Sequence, residues 1–141
     1  MRVGFTGTRE GLTSAQRNAL REVLRALAPT HLHHGDCRGA DSEAHDVARA
    51  LGVAVEVHPP LPTTLRAWRS VRDGEVMHER AHYLTRDAAI VAATALLVAC
   101  PKEETGEGHG GTWWTIRKAR AFKRRVVVVR PSGRVEDSDG R

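Results

Sequence analysis

The chain has 141 residues, a length typical of one domain that can bury a substantial hydrophobic core. No apolar run approaches the roughly 20 residues of a membrane span, so we expect no membrane partner. The formal net charge of +5 favours anionic partners. Two cysteines without a C-x-x-C pair, and a beginning without a signal-peptide pattern, predict a reducing, cytoplasmic setting.

Short apolar runs alternate with amphipathic segments along the chain, and this alternation predicts an α/β fold. The predicted strands lie at residues 3–5, 30–34, 53–57, 95–100 and 126–129. A first helix is capped by Thr13 or Ser14 and ended by Pro29. Two later helices cover residues 42–51 and 76–93, and two more begin at Thr64 and at Thr112. Residues 1–131 are therefore predicted to form one α/β domain, and residues 132–141 a flexible C-terminal tail.

The order of these elements predicts a Rossmann-like three-layer sandwich. Its mostly parallel five-stranded sheet has the order 3-2-1-4-5, with helices on both faces. Ligands of such sheets bind beyond the carboxyl ends of the strands, at the switch point between strands one and four. Three glycine-containing loops end there. The residues that they offer to a ligand are Gly7, Thr8, Arg9, Gly35, Asp36, Arg38, Gly39, Asp41, Gly110, Gly111 and Thr112.

The stretch that begins at Gly110 has the composition of a phosphate-binding loop. The paired glycines let a ligand approach the backbone, and Thr112 can cap the following helix while offering a hydroxyl. The unpaired amides and the dipole of a helix N-terminus favour an anion by about 0.3–1 kcal/mol. The alternative is a glycine-rich turn with a threonine cap and no ligand.

Together, the three loops resemble those of the SLOG superfamily of Rossmann-like proteins, in an uncharacterised branch. The resemblance rests on Phe5-Thr6-Gly7-Thr8-Arg9, on the loop at residues 35–41 and on residues 111–117, and it spans residues 3–131. The superfamily includes the DNA-processing protein A family, whose second loop is similar to residues 35–41 followed by Ala44-His45. This relation implies single-stranded nucleic acid as another partner.

The Lonely Guy phosphoribohydrolases, which cleave the N-glycosidic bond of nucleoside monophosphates, belong to the same superfamily. By this resemblance, Arg86 matches their arginine in the helix before strand four, and Gly111-Thr112 matches their Gly-Thr pair. Arg86 therefore joins the ligand-binding residues and is the sole candidate for catalysis. Thr115 stands where those enzymes have a glutamate, and threonine cannot supply a carboxylate for acid/base work.

Several candidates also have purely structural interpretations. Arg9 and Arg38 can bind phosphate or be exposed loop arginines, and Arg86 can pair with nearby acids instead of a ligand. Asp41 can accept a sugar hydroxyl or cap its helix.

Aromatic and nucleophilic candidates are likewise open to two interpretations. We expect one of Trp113 and Trp114 to be core or dimer interface, with Trp114 the base-stacking candidate. Cys37 could be a nucleophile, but no base is assignable to it from the sequence.

The histidines and acids elsewhere do not predict a metal or cofactor. His31, His33 and His34 alternate around a strand end, but no carboxylate or cysteine spacing completes a metal site, so we predict none. Residues 102–109, with three glutamates, are predicted to be a mobile, solvated loop that covers the ligand.

The prediction is a protein that binds a nucleotide or nucleotide-derived small ligand as a sensor or accessory component. One alternative is a nucleotide N-glycoside hydrolase. Another is single-stranded nucleic-acid binding through the basic residues 118–125, whose simpler interpretation is a solvated helix face. A homodimer or higher homo-oligomer is expected, through the tryptophan pair or the helix at residues 76–93.

Overall fold

The computed structural model describes residues 1–138. Its strands are β1 (Arg2–Gly7), β2 (His31–His34), β3 (Ala54–Val57), β4 (Pro60–Leu61), β5 (Val76–Met77), β6 (Ala81–His82), β7 (Leu96–Cys100), β8 (Arg125–Val129) and β9 (Val135–Ser138). Its helices are α1 (Ser14–Leu27), α2 (Ala40–Ala50), α3 (Tyr83–Ala93) and α4 (Gly111–Ala121), with a 3-10 turn at Thr63–Leu65. No helix in this part of the chain is long and apolar enough to cross a membrane.

A seven-stranded sheet forms the centre of the fold, in the order β5-β3-β2-β1-β7-β8-β9. Neighbouring strands are parallel except for β8 and β9. The α/β class is confirmed, and the five predicted strands occur in the predicted order as β3, β2, β1, β7 and β8. The sheet is wider than predicted because β5 and β9 extend its two edges.

Hydrophobic side chains fill both faces of the sheet and make it the middle of three layers. On one face, Leu20 and Leu24 of α1 and Val47 of α2 pack in one buried cluster with the sheet. On the other, Val91 of α3 and Trp113 of α4 pack in a second cluster. Trp113 is 1% exposed, so it is the core tryptophan of the pair and offers no dimer surface.

The prediction of a flexible tail is wrong for residues 135–138. These residues form β9, which pairs antiparallel with β8. Arg125 lies 2.7 Å from Asp137 and Arg130 lies 2.6 Å from Glu136, so ion pairs accompany the ladder. The strand covers the exposed edge of the four valines of β8, an edge that would otherwise invite pairing with another chain. Residues 139–141 of the predicted tail lie outside the described part of the chain.

The helix predicted at residues 76–93 is wrong in its first half. Val76 pairs with Glu56 as part of β5, and Ala81 pairs with Pro60 as part of β6. The prediction relied on the helical spacing of Met77 with later apolar residues. Met77 is exposed, so this spacing does not mark a buried helix face. The helix expected from Thr64 is only the 3-10 turn.

Of the N-cap residues predicted for α1, α2 and α4, only the one at α1 is confirmed. The Thr13 hydroxyl accepts a hydrogen bond from the Gln16 amide at 3.0 Å, and the Gln16 side chain returns the contact. Thr112 and Asp41 are not caps, because α4 and α2 begin earlier, with Gly110 and Gly39 as their N-cap residues. Both glycines have a positive φ, of 97° and 88°, which glycine adopts without strain.

Candidate functional site

A cleft of about 320 Å³ opens at the carboxyl ends of β1 and β7, near the lower limit of small-ligand pockets. Its walls come from the end of β1 and the loop after it, the loop after β2, the first turns of α2 and α3, and the loop before α4 with the first turn of that helix. The lining residues are Phe5, Thr6, Gly7, Thr8, Arg9, Glu10, Gly35, Cys37, Asp41, Tyr83, Arg86, Asp87, Lys102, Glu103, His109, Gly110, Gly111, Thr112 and Trp113.

Nine of the predicted ligand-binding residues line this cleft. They are Gly7, Thr8, Arg9, Gly35, Asp41, Arg86, Gly110, Gly111 and Thr112. The topology brings them together because the parallel strands β1, β2 and β7 all end at the same edge of the sheet. Asp36, Arg38, Gly39 and Trp114 are absent from the lining.

Asp36 is the clearest of these corrections. Its carboxylate is fully buried, accepts from Nε of Arg66 at 2.7 Å and from the amide of Arg69 at 2.8 Å. A positive φ of 55° at Asp36 goes with this arrangement. Asp36 therefore anchors the segment after the 3-10 turn rather than facing a ligand.

Arg38 and Trp114 also lie elsewhere. The guanidinium of Arg38 donates to the carbonyl of Thr64 at 3.0 Å, so the arginine is tied to the 3-10 turn. Trp114 is half-buried beside Lys118, whose Nζ lies 5.7 Å from the ring centroid. Its predicted base-stacking role is not supported, since the indole that reaches the cleft belongs to Trp113.

A Cβ at Gly35 would overlap the guanidinium of Arg86, and two other loop glycines make room for a neighbouring segment of the protein. A Cβ at Gly7 would stand 2.5 Å from the Cβ of Ala40, at the start of α2. One at Gly39 would overlap the carbonyl of Arg9. These glycines, predicted to let a ligand approach, instead let the first two loops pack against each other.

Gly110 and Gly111, by contrast, face open space at the start of α4. A Cβ at either position would meet no atom within 4 Å. The first amides of a helix have no acceptor within the helix, and here Gly111 and Thr112 lie in the cleft wall. Thr115 does not take part, because its buried hydroxyl donates to the carbonyl of Gly111 at 2.8 Å.

Arg86 is held by the protein on several sides. It is 6% exposed, and its Nε donates to Asp87 at 2.7 Å. Nη1 donates to the carbonyl of Gly35 and, at 3.3 Å, to that of His58, and the Sγ of Cys37 lies 3.7 Å from Nη2. The interpretation of Arg86 as an ion-pair residue thus has direct support, and its guanidinium ties α3 to the ends of β2 and β3.

Two carboxyl groups in the cleft have raised pKa values. Burial raises the pKa of Asp41 to about 7 against the opposing charge of Arg86. Burial also raises the pKa of Asp87, opposed by the charge of Arg86. Burial, with Asp41 nearby, raises the pKa of the Cys37 thiol to about 11, so the thiol is protonated at neutral pH and a poor nucleophile.

The pKa of Asp41 predicts a measurable pH dependence of stability. A folded pKa of about 7, above the ordinary 3.8, means that the contribution of Asp41 is fully present below the ordinary value and is lost as pH rises through 7. Relative to wild type, Asp41→Asn should therefore gain about 1 kcal/mol of unfolding free energy between pH 6 and pH 8. Urea unfolding of both proteins at the two pH values measures this.

Buried histidines contribute a pH dependence of stability of the opposite sign in both proteins. The difference between the two proteins therefore isolates the contribution of Asp41. The asparagine side chain of the variant keeps an oxygen that can accept the hydrogen bond that Asp41 takes from the amide of Cys37 at 3.2 Å. An equal pH dependence in wild type and variant would contradict the raised pKa.

Several lining residues were not predicted from the sequence. Asp87 adjoins Arg86 and Lys102 follows β7 closely, so both had a positional signal. Tyr83 had none, because the apolar spacing of residues 76–93 predicts one continuous helix. One of Trp113 and Trp114 was expected to be core or dimer interface; Trp113 is the buried one, and its indole nitrogen also donates to Glu103 at 2.9 Å.

The loop at residues 102–109, predicted to be mobile, makes several contacts with the rest of the protein. Besides the Glu103 contact, Glu104 accepts from the amide and hydroxyl of Ser132, both at 2.7 Å. Glu107 lies 3.3 Å from Arg120. These acids are engaged by the protein, and of the three only Glu103 reaches the cleft wall.

The basic stretch at residues 118–125 is partly neutralised. Arg120 pairs with Glu107, and Arg125 pairs with Asp137. Such pairing lowers the positive charge that this face offers to a nucleic-acid backbone.

Similarity to known proteins is found at the level of structure. No protein-family model and no curated protein sequence matches the chain. The crystal structure of TM1055, a structural genomics target, aligns with a TM-score of 0.66 and 18% identity over 94% of this chain and 75% of that one. The molybdenum cofactor binding protein of the phototrophic bacterium Rippkaea orientalis aligns with 0.65 and 16%, over 92% and 76%. The molybdenum cofactor carrier protein of Chlamydomonas reinhardtii aligns with 0.60 and 21%, over 90% and 74%.

The chain shares its fold with these three proteins. Each alignment covers nearly all of this chain and about three quarters of the other. Identities of 16–21% carry the fold and no more than the fold.

Proposed function

We propose that this protein binds a small phosphate-bearing ligand in the cleft, as a sensor or accessory protein of the SLOG superfamily. The observation that carries the proposal is the first turn of α4, which enters the cleft at two glycines whose Cβ positions are open. Helix amides so placed favour an anion, and backbone without side chains lets a phosphate approach closely.

Charged residues of the cleft support such a ligand. Arg9 and Lys102 line it and can neutralise a phosphate from the loops after β1 and β7. Asp41 and Asp87 lie in the same lining, where carboxyl groups can bind the hydroxyl or amino groups of a sugar or a base. This combination favours a nucleotide or nucleotide-derived molecule over inorganic phosphate.

Two structural neighbours, described as binding or carrying the molybdenum cofactor, widen the set of ligands worth testing. The wild-type protein should melt at a higher temperature with at least one member of a panel of nucleoside mono-, di- and triphosphates and molybdenum cofactor. A ligand at 100 times its Kd adds about 2.7 kcal/mol to the unfolding free energy. Unchanged melting with every member at millimolar concentration would refute the proposal.

Gly111→Asp provides the sharpest variant. An acidic side chain in the first turn of a helix stabilises it, and the open space at Gly111 accommodates a side chain, so the fold should keep its stability. The same carboxylate places a negative charge beside the proposed phosphate. We expect affinity for the stabilising ligand to fall at least tenfold by isothermal titration, since one unit of repulsion at close range exceeds about 1.4 kcal/mol.

Gly111→Ser is the matched control for this variant. It adds a side chain at the same position without a charge, and it should bind within about threefold of wild type. Equal affinity of Gly111→Asp and Gly111→Ser would place the anion away from α4.

A second candidate is hydrolysis of the N-glycosidic bond of a nucleotide. It is favoured by the two cleft carboxyl groups with raised pKa values, which supply the acid/base chemistry that Thr115 cannot. Water would attack the anomeric carbon and give a proton to one carboxylate, while the C–N bond breaks and the departing base takes a proton from the other carboxyl. Free base released from a nucleoside monophosphate by wild type but not by Asp87→Asn would support this candidate, and no release from any common nucleotide would remove it.

A further inference from the structure

Four metal-ligating side chains meet at the edge of the sheet, apart from the cleft. We call His33, Glu56, His58 and His78 the histidine cluster. One ligand atom from each lies within 4.8 Å of the others. None of the four lines the cleft, whereas His78 borders a shallow surface groove beside β5.

Strand register explains why these residues meet. His33 of β2 is the direct partner of Glu56 of β3 in the parallel ladder. His58 follows β3, and the amide of His78, just after β5, donates to the carbonyl of Val57 at 2.8 Å. The spacing of residues could not reveal a carboxylate beside the histidines, because Glu56 is 23 positions from His33 and only the ladder brings the two together.

His33 is also separated from its histidine neighbours. Successive residues of a strand point to opposite faces, so His34 leaves the cluster and its Nε2 contacts Nδ1 of His45 at 2.9 Å. His31, two residues before His33, contacts Thr30 instead. The three histidines singled out from the sequence thus have three different environments.

Distances within the histidine cluster fit a coordination shell. Nδ1 of His33 lies 2.9 Å from Nε2 of His58, and Nε2 of His33 lies 2.5 Å from Glu56. Nε2 of His78 lies 3.8 Å from the same carboxylate oxygen. Ligand atoms bound tetrahedrally to zinc at about 2.0–2.1 Å stand about 3.3 Å apart, within the range of these distances. One ring nitrogen of His33 faces His58 and the other faces Glu56, and an ion would take a single nitrogen of this ring, within 4.8 Å of the ligand atoms of the other three residues.

Hydrogen bonding leaves the histidine cluster incomplete. Nε2 of His78 is buried and lacks a hydrogen-bond partner among residues 1–138. A buried polar atom of this kind calls for a missing partner such as an ion.

We propose that His33, Glu56, His58 and His78 bind one divalent transition-metal ion, with zinc the best match. Three imidazoles and a carboxylate form a donor set of the kind that zinc takes in tetrahedral sites. Four protein ligands would make the site structural, and the ion would tie the two-residue strand β5 to β2 and β3. His78, whose side chain is 40% exposed, gives the ion a path from solvent.

Arg2 is the charged neighbour that opposes a cation here. Its Nη1 lies 2.9 Å from Glu56 and 3.1 Å from Nε2 of His33. Its side chain is 43% exposed, so it can move into solvent when an ion binds. Arg2→Gln should therefore keep the site and bind zinc as tightly as wild type or more tightly.

The test uses the full chain, without a polyhistidine tag, after treatment with a chelator. Zinc titrated against a chromophoric competitor should bind at one equivalent per chain and raise the melting temperature, and cobalt should give the visible spectrum of a tetrahedral site. His78→Gln should weaken zinc binding at least tenfold, and His58→Gln combined with His78→Gln should abolish it. Circular dichroism without metal checks that each variant is folded. If the double variant does not fold, the test rests on His78→Gln, which changes a partly exposed position.

His31→Gln is the matched control, because it removes a histidine of the same strand that lies outside the histidine cluster. It should leave zinc affinity unchanged. Lack of one-equivalent binding by wild type, retained affinity in folded His78→Gln, or a loss in His31→Gln equal to that in His78→Gln would each overturn the proposal.

Discussion

Replacing Arg86 by methionine should lower the free energy of unfolding by about 3–5 kcal/mol, the usual effect of removing one partner of a buried ion pair. Methionine preserves much of the side-chain volume but leaves Asp87 without its cation. It also removes the donors to the carbonyls of Gly35 and His58. Urea unfolding at neutral pH measures the loss.

Arg117→Met is the control for this prediction. Arg117 is exposed and lies 3.8 Å from Glu107, and exposed pairs of this kind contribute about 0–1 kcal/mol. Similar losses in the two variants would contradict the central position that we assign to Arg86.

This result would govern how ligand-binding experiments are designed. Loss of binding in an Arg86 variant would follow from damage to the cleft wall as readily as from a lost ligand contact. Arg9 also lines the cleft. Within residues 1–138, its guanidinium makes none of the hydrogen bonds or ion pairs that fix Arg86. Arg9→Ala is therefore the better probe of a charge–phosphate contact.

Asp36→Ala is expected to destabilise the protein by about 3–4 kcal/mol without changing ligand affinity in the protein that remains folded. The substitution leaves the buried guanidinium of Arg66 and the amide of Arg69 without their acceptor. Ligand affinity should persist because Asp36 is absent from the cleft lining. Unfolding measurements and titration with the same ligand test the two statements separately.

Asp46→Ala is the corresponding control, since Asp46 pairs with Arg69 at 2.5 Å on the surface. A loss below about 1 kcal/mol is expected there. A tenfold loss of ligand affinity in folded Asp36→Ala would restore the role in ligand binding that its loop position predicts.

The sheet was predictable because its five central strands carry their own signals. The runs at β7 and β8 are continuously apolar, as strands buried on both faces must be, and the intervening helices have one apolar face. The edge strands lacked such signals. β9 is largely polar, and β5 is a two-residue strand formed by pairing with a partner 20 positions away.

The sequence indicated which loops meet at the cleft, but not which of their side chains line it. The topology determines which loops meet, and Gly7, Gly35 and Gly111 all lie in the lining, while their role in ligand binding stays a prediction. It does not determine where a loop side chain points. Asp36 lies in the loop after β2 and Asp41 in the first turn of α2, yet only Asp41 lines the cleft. Asp36 turns toward Arg66, a partner 30 positions away that the spacing of residues could not reveal.

Gly7 and Gly39 bear on how the history of this protein can be inferred. A side chain at either position would collide with the neighbouring loop or helix, so both glycines are required by the fold whatever occupies the cleft. A descendant that exchanged its ligand, or lost it, would still be selected to keep them. Shared glycines at these two positions therefore report a shared fold, whereas under the proposed function a change of ligand would be recorded at Gly110, Gly111 and Arg9.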